Sequence, residues 1–459
     1  MESDGLPVPR RYWSAATIWL AMAMSVLDAS IANIALPTLA RELNTTAAAS
    51  VWVVNAYQLA IVVSLLPLAS LGELVGYRRV YQAGLALFTA ASIGCALAPN
   101  LETLTVARVI QGLGASGIMS MNGALVRYTY PNAQLGRAVG LNALVIALSS
   151  ALGPTLASAI LAATSWHWLF AINGPVGIIA IAIALWALPH HVPAKRRFDI
   201  IAAILNALTF GPLILGADAL AMGGNPWLGA LGVAVGVISA TLMVRRSLSQ
   251  THPMFPFDLL RIRAVGLSIG TSLTSFTAQS LAFVSLPFML QYALGRSAVE
   301  TGFLMTPWPL GVAVIAPIAG RLSDQPIGKA LGAIGMAVMA TGLLLLAFVP
   351  AQAAVWDIAW RMAVCGMGFG MFQAPNNRAI MGSSPRSRLG SAGGLLATGR
   401  LAGQTVGASL AAFLFHIAPG SRHLPLLLAA GFAVVAAVVS AFKMRGPDNA
   451  SSAPAEPEG

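Results

Sequence analysis

The chain has 459 residues, of which 57% are hydrophobic and 9% charged. A soluble globular chain carries about 25% charged residues; with a mean hydropathy of +0.77, this one cannot cover a water-facing surface, which excludes a soluble enzyme, a disordered protein and a secreted disulfide scaffold. The net charge of +11 does not point to nucleic acid, because the Lys and Arg residues sit in short clusters between apolar stretches, as membrane topology signals do.

Fourteen apolar stretches follow in chain order: 14–38, 51–71, 79–98, 102–126, 138–162, 166–188, 198–220, 227–244, 264–292, 300–322, 329–349, 355–382, 391–415 and 424–443. Most approach the roughly 20 residues that cross a hydrocarbon core about 30 Å thick. They predict an all-α polytopic membrane protein with 14 transmembrane helices. The first stretch is too long for a cleavable signal and holds Asp28. Segment 1–13 reads as a cytoplasmic N-terminus. The Ser/Pro/Glu/Gly-rich segment 444–459 reads as a disordered cytoplasmic tail.

The basic residues orient the stretches. Of the 26 Lys and Arg residues, twenty fall on the side of the N-terminus, including Arg10, Arg11, Arg78, Arg79, Arg245 and Arg246. Only Arg41, Arg296 and Arg422 fall on the other side, and Arg108, Arg361 and Arg400 lie within stretches. This asymmetry puts both termini in the cytoplasm of a bacterial inner-membrane protein. One missed or extra span would invert every later cluster.

The turn after the second stretch carries Glu73, Gly76, Arg78 and Arg79, and the turn after the tenth carries Asp324, Gly328 and Lys329. Each sets an acid a few positions before a glycine and a base. The echo predicts two six-helix repeats, 14–188 and 264–443, with an inserted pair of helices and linkers at 189–263.

Ionisable residues inside a membrane are costly and mark function by default. Asp28 lies about 14 residues into the first stretch, roughly 21 Å from its start at 1.5 Å per residue. That is roughly 9 Å from the far face of the core. Arg108, about 6 residues into a stretch entered from that face, lies at a depth of roughly 9 Å as well. The two are therefore expected to meet, either as a proton-coupling pair or as a permanent lock between helices. Arg400 and Gln404 either line a cavity or brace helix packing. Asp357 and Arg361 suit a local i, i+4 pair, and Asp218 an interfacial position. Asn33, Tyr57, Gln58, Gln111, Asn142 and Gln279 are candidate substrate contacts.

Cys95 and Cys365 both fall in apolar runs, where packing is the expected role. The chain shows no HExxH, Cys/His cluster or Walker-type loop, so neither a metal nor another cofactor is expected.

Several segments resemble one family. Leu27-Asp28-Ala29-Ser30-Ile31-Ala32-Asn33-Ile34-Ala35-Leu36-Pro37 and Arg108-Val109-Ile110-Gln111-Gly112-Leu113-Gly114 are similar to the first- and fourth-helix signatures of the 14-helix drug:proton antiporter branch of the major facilitator superfamily. Gly140, Ser149, Gly153 and Pro154 resemble its fifth-helix antiporter motif, and Trp166 to Pro175 its sixth-helix entry. The resemblance covers the chain to about residue 443. It departs at Glu73-Leu74, where the family carries an Asp followed by Arg, and at Ser149 and Ala157-Ser158, where it carries glycines.

The resemblance implies the major facilitator fold and a proton role for Asp28 and Arg108. The turns at Glu73 and Asp324 become cytoplasmic gate loops, and Gly140 to Pro154 a hinge. The implied activity is proton-coupled efflux of lipophilic, cationic drugs, dyes or antiseptics, with antibiotic resistance as its consequence. Export of one endogenous metabolite is the alternative. The expected partners are a small-molecule substrate, protons and the lipid bilayer, around a monomer.

Overall fold

The computed structural model describes residues 5–190, 198–221, 223–250, 255–323, 325, 327–385 and 388–443. The tail 444–459, Asp324 and the side chain of Lys329 lie outside the described residues.

Fourteen long helices run through the described residues. They are α1 (Arg10–Glu42), α2 (Ala47–Val75), α3 (Tyr77–Ala96), α4 (Leu101–Thr129), α5 (Leu135–Ala163), α6 (His167–Ala187) and α7 (Ile200–Ala221), then α8 (Pro226–Leu248), α9 (Arg263–Ala293), α10 (Ala298–Leu322), α11 (Gly328–Ala347), α12 (Val355–Ser383), α13 (Leu389–Ile417) and α14 (Leu424–Phe442). Helices are the only open-ended elements whose backbone groups are all satisfied inside lipid. Eleven are long and apolar enough to cross a membrane. The other three, α3, α12 and α13, carry more polar residues and lie against spanning neighbours. Arg78 and Arg79 open α3, while Asp357, Arg361 and Arg378 lie on α12. Asp357 and Arg361 form the local pair at 3.0 Å.

Side-chain oxygens cap four of the helices that start at the end opposite the Arg78–Arg79 turn, here the far end. Thr46, Asn100 and Asn225 accept from the first backbone N–H groups of α2, α4 and α8, and Ser297 with Glu300 makes a capping box on α10. At the other, basic end, Gly76 sits at φ +105° between α2 and α3, a conformation that a Cβ would strain.

Small residues set the close approaches. A Cβ on Gly114 would stand 2.4 Å from the Phe88 nitrogen, so α3 and α4 meet backbone to backbone. Gly368 is likewise 2.4 Å from the Met339 nitrogen between α12 and α11, and Gly407 2.4 Å from the Thr277 oxygen between α13 and α9. At the basic end of the second half, Lys443 donates to Asn376 and Asn376 to Ser272, each at 2.7 Å, tying the end of α14 to α12 and α9.

The inserted pair packs on itself through glycines: a Cβ on Gly216 would lie 2.6 Å from the Gly229 oxygen. It docks on α2 by two polar contacts. Asn206 donates to the Val63 carbonyl at 2.6 Å, and the Trp52 indole donates to Asp218 at 3.2 Å. Asp218 is therefore a docking contact between helices. The opposite face of the pair exposes Ile200, Ile204, Leu208 and Leu231.

At its basic end Asp199 accepts from Arg246 at 3.0 Å, Gln250 at 2.7 Å and the Ala202 N–H at 3.0 Å. Burial works against its charge, but these hydrogen bonds and the Arg246 guanidinium hold the carboxyl below its ordinary value. Asp199→Ala is expected to cost about 1 kcal/mol of stability at neutral pH. Because the folded pKa is the lower one, this contribution is complete above the ordinary carboxylate pKa of about 3.9 and is lost as pH falls through the depressed value. Thermal melts of wild type and variant in detergent should differ at pH 7 and converge on acidification.

Candidate functional site

Gly112 explains how the central polar site is assembled. A Cβ there would stand 2.5 Å from the Tyr57 carbonyl oxygen, so glycine lets α4 approach α2 this closely. One turn earlier on the same face, Arg108 donates from Nε to the Val53 carbonyl at 2.8 Å, and its guanidinium lies 4.2 Å from the Tyr57 ring centroid. Its Nη1 bonds Asp28 Oδ2 of α1 and Gln111 Oε1, the latter at 2.6 Å. Gln111 returns its amide to Asp28 Oδ1 at 2.8 Å, and Asn173 of α6 donates to the same oxygen at 3.0 Å. Ser92 of α3 accepts from Gln111 at 2.8 Å.

Asp28 and Arg108 are 2% and 0% exposed. A carboxylate this deep is tolerable only because a cation and two amides satisfy it. Arg108 retains an unpartnered buried nitrogen, Nη2. The pair is a closed charge unit with one donor to spare.

Beside it runs a cavity between the two halves. Its central part, about 430 Å³, is lined by Asn33 of α1, Tyr57 and Gln58 of α2, Gln279 of α9, and Arg400 and Gln404 of α13. Gln373 and Asn377 of α12 join them, with Phe276, Phe283, Trp308 and Phe369 forming an aromatic wall. The rings meet edge to face, Phe276 with Phe369 at 5.1 Å and Phe283 with Trp308 at 5.0 Å. Met22, Met119, Ile146 and Arg400 also line a larger cavity of about 1350 Å³ bounded by Glu73, Arg127 and His190. These shared walls set the two side by side, the larger one reaching the basic end.

The far end is shut. Ser158 of α5 donates to the Ala298 carbonyl of α10 at 3.1 Å, and Thr155 bonds Thr306 at 2.7 Å. Tyr292 of α9 donates to the Pro37 carbonyl of α1 at 3.1 Å. The segment holding Gly153 and Pro154 lies in this seam: a Cβ on Gly153 would be 2.3 Å from Ser30 Oγ. Ser149 is buried nearby on α5. Gly140, by contrast, has open space where a Cβ would go, so packing in this conformation does not demand a glycine there.

At the basic end Arg78 stays within its own half. It donates to the Leu185 and Leu188 carbonyls and to His190 at 2.8 Å, gripping the last turn of α6. Arg10 adds bonds to Ala187 and Leu188, both at 3.1 Å. The Arg78 charge holds the His190 imidazole below its ordinary value. Arg79 makes a local bond to the Val75 carbonyl at 3.5 Å. Glu73 lies at the cavity mouth, and Gly328 opens α11.

The structure thus brings Asp28 and Arg108 together and places Asn33, Tyr57, Gln58, Gln279, Arg400 and Gln404 on the cavity. Two expectations need correction. Gln111 is buried against Asp28, because at i+3 from Arg108 it shares that residue's face. Asn142 is half-buried on α5, whose cavity face is formed by Ala143, Ile146, Ala147 and Ser150. Sequence reasoning missed Asn173, which falls inside the Trp166 to Pro175 motif, and Ser92. It also missed Gln373 and Asn377, an i, i+4 pair of amides in an apolar helix that was a usable signal. Cys95 lies 3.5 Å from Gln111, at the edge of the polar site.

The family profile described as Major Facilitator Superfamily matches residues 18–400 and 267–459. The chain is 50% identical to the uncharacterized transporter YebQ of Escherichia coli, over 97% of this chain and 98% of that protein. It is 33% identical to the riboflavin transporter RibZ of Clostridioides difficile, over 83% of each chain. It is 30% identical to the multidrug resistance protein Stp of Mycobacterium tuberculosis, over 84% of this chain and 73% of that one. A profile that spans nearly the whole chain, and a full-length relative sharing half its residues, fit the two-halved helical cavity described above: the chain belongs to the major facilitator superfamily, as an integral membrane transporter of small molecules and not an enzyme.

Proposed function

We propose that the chain is a proton-coupled exporter that moves lipophilic drugs, dyes or similar amphipathic compounds by alternating access, with the basic end in the cytoplasm of a bacterial inner membrane. One observation carries the reading: a sealed Asp28–Arg108 pair stands beside a cavity that is open at one end and shut at the other. Protonating Asp28 removes the counter-ion of a fully buried Arg108, and an uncompensated buried charge costs about 3–5 kcal/mol. The protonated form is therefore favoured only in a conformation that gives Arg108 another partner or water. That dependence is what couples a proton to a rearrangement.

The cationic cargo expected from the sequence has no carboxylate to rest on. The described residues lining the central cavity include no acid, and Asp28 is enclosed by its donors. Export of a single metabolite is the second reading, favoured by the ring of amides, Asn33, Gln58, Gln279, Gln373, Asn377 and Gln404, which suits a defined hydrogen-bonding cargo. The relative named for riboflavin points the same way.

The test uses the full chain in proteoliposomes with a trapped pH indicator and a panel of lipophilic dyes. An imposed pH gradient should drive dye movement with matching proton flow, and nigericin should abolish both. Dye movement indifferent to nigericin would sink the proton-coupled reading.

A further inference from the structure

Among the described residues lining the central cavity one side chain is charged, and it is a cation. Arg400 lines both the central cavity and its opening to the basic end. It forms no ion pair and no side-chain hydrogen bond among the described residues, in contrast to Arg108, Arg246, Arg361 and Arg388, each of which is bonded to an aspartate. Arg400 thus presents a fixed-geometry fork of donors to a central chamber whose described lining carries no acid, the Glu73 carboxylate bordering the wider opening toward the basic end.

Two further groups on the same walls are unsatisfied. Gln58 Oε1 and Trp308 Nε1 have no hydrogen-bond partner, although their residues are 8% and 1% exposed. Buried polar atoms are nearly always paired, so an acceptor on α2 and a donor on α10 await a group brought in from outside. The rest of the wall is aromatic, built from Phe276, Phe283 and Phe369.

We infer that the cargo is an organic anion, an aromatic acid whose carboxylate or comparable oxyanion docks on Arg400 while its ring system lies against the Phe276–Phe283–Trp308–Phe369 wall. Arg400 and carboxylate make a bidentate, charge-assisted pair that a neutral isostere cannot make. Gln404, one turn on, borders the same space, and Gln58 and Trp308 offer the cargo one acceptor and one donor. The volume of about 430 Å³ suits a molecule of two to four fused rings with a short acidic arm. Such a cargo is repelled by a free carboxylate, which accounts for the absence of one among the described residues lining the central cavity and for an Asp28 kept behind its donors. The inference rests on the exporter reading for its direction of transport, but binding at Arg400 is testable without it.

The experiment is calorimetric titration of the purified full chain in detergent with three probes of one skeleton: 1-pyrenebutyrate, its methyl ester, and the corresponding 4-(1-pyrenyl)butylamine. Wild type should bind the acid at least about 10-fold more tightly than the ester, the worth of one charge-assisted pair, and the amine least. Arg400→Gln should erase the difference between acid and ester, and Arg400→Lys should keep part of it. A wild type that binds the amine or the ester as tightly as the acid, or that binds none of the three, overturns the inference even if neither variant folds. An acid preference that survives in a monodisperse Arg400→Gln protein overturns it too. Proton flow in the proteoliposome assay is read separately, so failure here leaves the proton-coupled reading standing or falling on its own result.

Discussion

Replacing Asp28 with asparagine is expected to abolish proton-coupled transport and to destabilise the protein by about 3–5 kcal/mol. The two effects have one cause. Arg108 is fully buried, and Asp28 is its sole carboxylate partner among the described residues. Asparagine keeps the shape and removes the counter-charge, and it leaves Gln111 and Asn173 aiming their donors at an amide. In proteoliposomes the variant should release no protons, and its thermal midpoint in detergent should fall by several degrees. Arg108→Met alone should be comparably damaging, because it strands the carboxylate. Combining the two substitutions should recover most of the lost stability without recovering transport. Persisting proton release in Asp28→Asn would mean that another acid couples, with Glu73 at the cavity mouth the next to examine. Recovered transport in the double variant would reduce the pair to a structural lock.

Gly302→Leu is expected to trap the transporter with its far end open. The α5–α10 seam closes because Gly302 offers no side chain: a Cβ there would stand 1.6 Å from Ser158 Oγ and 2.4 Å from the Pro154 carbonyl oxygen. The hydroxyl can turn away, but the carbonyl belongs to backbone that cannot. Overpacking of this kind costs about 1–3 kcal/mol or more, and each 1.4 kcal/mol shifts a two-state balance about tenfold. The closed seam should therefore lose about 10- to 100-fold in population, and export should fall accordingly. A cysteine reporter introduced by Ser150→Cys, on the cavity wall, reads the change. A membrane-impermeant thiol reagent added outside intact cells should label it in the Gly302→Leu background and barely in the parent. Both native cysteines are buried, so background labelling should be low. Normal export by Gly302→Leu would show that the transport cycle does not need this seam to close as tightly as it does here.

The depth arithmetic for Asp28 and Arg108 shows how far a sequence reaches. A helix rises 1.5 Å per residue and the bilayer has a set thickness, so position along a stretch converts to depth without any fold. Two opposite charges at one depth in a low-dielectric medium have strong reason to meet. The helices were legible for a related reason: lipid leaves the backbone no other open-ended conformation, and the placement of arginines counts the crossings. Three helices less apolar than the other eleven, α3, α12 and α13, were still legible as apolar stretches, and the alternation of basic clusters supports that count.

Direction around each helix was not legible. A soluble helix has one polar face and shows where its interior lies, but these helices are apolar on nearly every face, so a polar residue has no background to be read against. Gln111 and Gln279 looked alike in sequence; one binds Asp28 and the other lines the cavity. Asn142 looked like both and does neither. Arg400 stood open between lining a cavity and bracing helices, and only the packing of α13 on α9 turned it inward. The meeting of Asp28 with Arg108 was legible from their common depth, but the Gln111 and Asn173 amides that complete the carboxylate's surroundings were not.

Hydrophobicity and charge along the chain thus determined by themselves the fourteen helices, eleven of them long and apolar enough to cross a membrane, and the common depth expected of Asp28 and Arg108 in a core about 30 Å thick. Those quantities follow from one-dimensional spacing and a solvent of known thickness. Which groups face one another, which of them line the cavity and which end of it is shut were decided by tertiary structure alone. They depend on the rotation and approach of helices, set by contacts such as Gly112 on Tyr57 and Gly302 on Pro154, between residues far apart in the chain.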